Sequence, residues 1–97
     1  MQFVQMMEIH TSKFDKMQAM EEEWRKATEG KRTLRHTYLC RDRNDPNRYI
    51  VLAFFDSPES AAINSALPET AEFASQTNAI VDSPLTFQDF DVVEERN

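Results

Sequence analysis

The stretch Asn47-Arg48-Tyr49-Ile50-Val51-Leu52-Ala53-Phe54-Phe55-Asp56-Ser57-Pro58-Glu59-Ser60-Ala61 decides the fold of this chain. Seven apolar residues run unbroken from Tyr49 to Phe55. A strand with one wet face alternates apolar and polar residues, so an unbroken aromatic and β-branched run predicts a strand covered on both faces. A helix start follows at once. Ser57 before Pro58 places proline in the first turn, where its missing N–H costs nothing, while Asp56 with Glu59 offers a capping box one register earlier.

Outward from this stretch, Phe3 to Thr11 reads as a first strand, with Phe3, Met7 and Ile9 on one face and Val4 and Met6 on the other. Thr11 or Ser12 can cap a helix predicted from Lys13 to Glu29 and ended by Gly30, with Phe14, Met17, Met20, Trp24 and Ala27 in one stripe. Arg32 to Arg41 is a second strand in which His36, Tyr38 and Cys40 share a face. Asp42 to Asn47 carries the turn chemistry that joins it to the third strand. Beyond Ser57, a helix over Pro58 to Ala66 is broken at Leu67-Pro68 and resumes from Glu69 to Val81, with Phe73, Ala74, Thr77, Ile80 and Val81 inward. Leu85 to Val93 is the fourth strand, with Phe87 on one face and Phe90 and Val92 on the other.

The order is β-α-β-β-α-β: an α+β, ferredoxin-like arrangement with helices on one face of a four-stranded antiparallel sheet, in a single domain over residues 1–97. The helices cover one face only, yet three of the strands carry apolar groups on both. An open face of order 400 Å² or more is large for a monomer, so a homodimer is expected, its two sheets closing into a dimeric α+β barrel.

Composition narrows the function. Seventeen acids against 11 basic residues give a net charge of −6, which disfavours a nucleic-acid partner. The balance is uneven: eight basic residues against three acids lie from Arg25 to Arg48, and nine acids with only Arg96 from Val51 onward. One cysteine, Cys40, and no leader-like N-terminus fit a cytoplasmic protein, and no apolar run approaches the ~18 residues of a membrane span. With a single glycine, neither a Walker-type loop nor a dinucleotide fingerprint can form.

The strand Arg48 to Phe55 running into Asp56-Ser57-Pro58-Glu59-Ser60-Ala61, followed by Leu67-Pro68-Glu69-Thr70-Ala71-Glu72-Phe73, resembles the third strand and second helix of the antibiotic-biosynthesis monooxygenase-like domains of the dimeric α+β-barrel superfamily. The resemblance spans nearly the whole chain. It implies a dimer and, from its cofactor-independent members, an oxygenase acting on phenol- or quinol-like aromatics in a pocket between sheet and helices. Candidates for that pocket are Trp24, His36, Tyr38, Tyr49 and Asn64. The haem-degrading members use a histidine on the second helical region, and here no histidine follows His36.

On chemical grounds, His36 and Tyr38 on one strand face offer a base and a phenol to an ionisable substrate, and are the candidate catalytic pair. Trp24, Tyr49 and Asn64 are the candidate ligand contacts. Each has a plainer role as a core or edge residue. His10 and Glu8 share a face but are too few for a metal, and no cofactor is expected. A non-enzymatic homodimeric binding or stress-associated module of the same barrel is the alternative, favoured by a filled core with His36 on the surface.

Overall fold

The computed structural model describes residues 2–97, in the order β1 (Phe3–His10), α1 (Phe14–Ala27), β2 (His36–Arg41), β3 (Arg48–Phe55), α2 (Pro58–Ser65), α3 (Pro68–Asn78) and β4 (Thr86–Asp91). The four strands form one antiparallel sheet ordered β2-β3-β1-β4, so the two apolar-rich strands take the centre and the more polar β2 and β4 the edges. This is the expected ferredoxin-like arrangement.

Cross-strand partners share a face, which lets the register assign every side chain. Phe3, Met7 and Ile9 of β1 pair with Phe55, Val51 and Tyr49 of β3 and face the helices. Ile9, Tyr49, Met17 and Ile80 are buried there in one cluster, joined by Phe14, Met20 and Leu85. A second cluster of Phe3, Phe55 and Ala61 closes the other end. The opposite face carries Met6, Ile50, Leu52 and Phe54, with Phe90 beside a buried Val4, and no element among the described residues packs over it. That is the uncovered face expected from the sequence.

Several boundaries shift for identifiable reasons. Helix α1 ends at Ala27, and the turn after it passes through Gly30 at φ 79°, a left-handed conformation that a side chain would strain. Strand β2 starts at His36, later than expected, because α2 claims the segment before it: Ser60 O accepts from Thr33 Oγ1 at 2.5 Å. Helix α3 stops at Asn78, short of Val81, while Ile80 remains in the core and the N–H of Asp82 donates to His10 O at 2.7 Å. Ala27 and Ala74 are exposed, outside the stripes assigned to them.

The capping alternatives are also decided. Ser57 is the cap of α2, its hydroxyl accepting from Ser60 N at 3.1 Å, while Asp56 turns away to Arg35 at 2.7 Å. Neither Thr11 nor Ser12 caps α1: the N-cap is Lys13, without a side-chain hydrogen bond. Thr11 is instead fully buried, and its hydroxyl accepts from Lys13 N at 3.0 Å and donates to Ile80 O at 2.7 Å, tying the approach to α1 to the chain leaving α3.

Candidate functional site

On the open sheet face, two-residue periodicity puts His36 and Tyr38 of β2 side by side, and the β2–β3 register sets Phe54 opposite His36. The three rings form a cluster. Centroids lie 4.6 Å apart for His36–Tyr38, 5.9 Å for His36–Phe54 and 6.1 Å for Tyr38–Phe54, with Tyr38 edge-on to both neighbours. His36 opens the edge strand, so the trio occupies a corner of the sheet, and both His36 and Tyr38 are exposed. Leu52, Ile50 and Met6 extend the apolar surface from that corner.

The opposite end of this face is polar. The Glu8 carboxylate accepts from Arg48 Nε at 2.7 Å and lies 2.8 Å from His10 Nε2, and Arg48 also donates to Asp42 at 2.9 Å. The Arg48 guanidinium, then His10, hold the Glu8 carboxyl below its ordinary value of 4.5. Asp42 is lowered first by the Asn44 backbone N–H and then by Arg48. A carboxyl with a depressed folded-state value stabilises the fold above its unfolded value and loses that contribution as pH falls through the depressed one. The urea midpoint is therefore expected to fall with acidification below about pH 4.5, and less steeply in Glu8→Gln; equal slopes would remove this network from the acid limb.

The remaining candidates lie on the helix side, in three separate places. Tyr49 is 3% exposed, stacked on Phe14 at 5.0 Å, and its hydroxyl accepts from Arg41 Nε at 3.2 Å. Trp24 is buried between α1 and α3, its indole N–H donating to Thr70 Oγ1 at 3.0 Å and its ring stacked with Phe73 at 5.9 Å. Asn64 is buried on α2, its Oδ1 accepting from Thr33 N at 3.2 Å. The five residues expected to line one pocket between sheet and helices therefore do not meet: strand alternation sends His36 and Tyr38 to the far face, and the intended pocket volume is occupied by the core side chains. Phe54 and Arg48 were not among the candidates; only the β2–β3 register reveals them. Among the described residues, no group of three or more His, Cys, Asp or Glu side chains could hold a metal, and no helix is long and apolar enough to cross a membrane.

No protein-family model matches the sequence, and no curated protein matches it significantly. Solved structures do match in shape. SnoaB, a cofactor-independent oxygenase from Streptomyces nogalater, superposes with a TM-score of 0.82 at 12% identity, over 97% of this chain and 95% of that one. The fold is that of the antibiotic biosynthesis monooxygenase-like proteins. A candidate monooxygenase of this name from Caulobacter crescentus gives 0.83 at 10% identity, over 96% of this chain and 91% of that one. A Mycobacterium tuberculosis protein gives 0.81 at 9% identity over the full length of both. At such identities the monooxygenase-like likeness is one of backbone, and the chemistry has to be argued from this chain's own side chains.

Proposed function

We propose that the protein is a homodimer that binds a flat phenol- or quinol-like aromatic and promotes its reaction with oxygen without a cofactor, in the manner of the oxygenase whose fold it shares. The observation that carries this reading is the His36–Tyr38–Phe54 trio, with His36 and Tyr38 exposed and Phe54 half-buried, at the corner of an otherwise apolar sheet face. Two copies packed sheet on sheet would bury Ile50, Leu52 and Met6 and leave the trio at the seam, where a planar molecule can stack on Phe54. The His36 imidazole takes the phenolic proton, and the Tyr38 hydroxyl donates to the phenolate oxygen. The phenolate is the better electron donor, so deprotonation lowers the barrier to reaction with oxygen. The single Cys40 suits a reducing, cytoplasmic setting.

A panel of hydroxyquinones and anthrone-like phenols, followed by oxygen uptake, tests the reading. Turnover is expected to fall by roughly 10²-fold or more in His36→Ala, in line with the loss of a general base. Uptake that is indifferent to His36 would overturn the assignment. One observation favours a second reading, a non-enzymatic binding module of the same barrel: the sheet–helix layer is filled by two side-chain clusters, and His36 lies on the surface. Stoichiometric adducts by native mass spectrometry without oxygen uptake would select that module.

A further inference from the structure

On the other side of the molecule, away from the His36 corner, residues of α1 and α3 line an open groove of about 340 Å³. Its floor is Met20, Trp24 and Phe73, and its rim carries Glu23, Glu69 and Glu72. The helix pattern accounts for this arrangement: Met20, Trp24 and Phe73 belong to the apolar stripes, while the glutamates lie at their borders. Among the described residues no basic side chain lines the groove itself, although Arg32 lies against Trp24. Lys31 reaches Glu69 at 3.0 Å, and Glu23 and Glu72 form no ion pair among the described residues. The Arg32 guanidinium lies 5.9 Å from the Trp24 ring centroid and already occupies that indole as a cation partner, so the ligand's charge is left to the carboxylates.

We propose that this groove binds a small organic cation with an apolar body, such as an aromatic or alkyl quaternary ammonium. The groove is open on one side, so a ligand lies along it rather than inside it. An apolar body covers Phe73 and Met20. Its charge is placed by the carboxylates of Glu23 and Glu72, the latter also accepting from Gln76 Nε2 at 3.3 Å. A quaternary ammonium fits better than a primary amine because it gives up less hydration on entering an apolar groove. The negative charge of the whole chain favours a cation over an anion.

Trp24 is the only tryptophan, so its emission reports the groove directly. Titration of the intact protein with benzyltrimethylammonium is expected to give a saturable change in that emission, with benzyl alcohol and benzenesulfonate much weaker at equal concentration. The double variant Glu23→Gln, Glu72→Gln, both on the surface, is expected to weaken the cation about fivefold or more while far-UV circular dichroism stays unchanged. Equal responses to all three compounds, a change that never saturates, or an unaltered double variant would each overturn the proposal. Because His36 lies on the opposite sheet face, His36→Ala is expected to leave the titration untouched, and oxygen uptake is expected to survive the double variant.

Discussion

Tyr49→Ala is expected to cost about 3–5 kcal/mol of folding stability, a large part of the roughly 5–15 kcal/mol that holds a small domain together. The ring is 3% exposed, stacks on Phe14 and lies in the cluster with Ile9, Met17 and Ile80 at the centre of the sheet–helix layer. Removing it leaves a void bounded by a central strand and by α1, neither of which can collapse inward without breaking the sheet pairing. A loss of that size would lower the melting temperature of a domain this small by well over 10 °C, on the usual scale of about 4–8 °C per kcal/mol. Tyr49→Phe isolates the alternative role as a ligand contact. It keeps the stacked ring and gives up only the bond from Arg41, an exposed side chain, so its cost is expected to stay within about 1 kcal/mol. An alanine variant melting within a few degrees of the parent would contradict the placement of Tyr49 in the core.

Lysine at Ile50 or Leu52 is expected to act on assembly, and lysine at Val51 on folding. Ile50 and Leu52 pair across the sheet with Cys40 and Tyr38 and belong to the face without cover, whereas Val51 packs on the cluster around Tyr49. In a sheet-on-sheet dimer, Leu52→Lys would bury an ammonium without a partner on each side of the two-fold axis, a penalty of several kcal/mol per ion. The expected outcome is a folded monomer at micromolar concentration by sedimentation velocity, with the parent dimeric and circular dichroism preserved. Val51→Lys is expected to yield unfolded or insoluble protein. Soluble dimers from both Ile50→Lys and Leu52→Lys would sink the barrel.

Much of this architecture was legible in the residues, for a physical reason. Central strands need apolar groups on both faces, and the run from Tyr49 to Phe55 announces that without reference to any partner. The break at Leu67-Pro68 and the start at Ser57-Pro58 are equally local, because proline constrains its own backbone. The site was less legible. That His36 and Tyr38 share a face follows from their spacing, but which face the helices occupy depends on pairing between distant strands. Trp24, Tyr49 and Asn64 lie on the helix side, apart from that pair, for that reason. Asn64 is buried by an acceptor role toward Thr33, and nothing local in either segment signals that bond.

The two-sided character of β3 has a cost in folding fidelity. In most strands a slip of one residue throws the apolar set into water, and the hydrophobic effect rejects the error. Here such a slip would exchange Tyr49, Val51, Ala53 and Phe55 for Ile50, Leu52 and Phe54, oil for oil. The penalty falls instead on the polar end of the strand, where Arg48 would lose Glu8 and Asp42 and be driven toward the core, and Tyr49 would lose its contact with Arg41. The ion pairs at one corner of the sheet thus act as its alignment pin, holding in place a strand whose greasy length would tolerate being wrong.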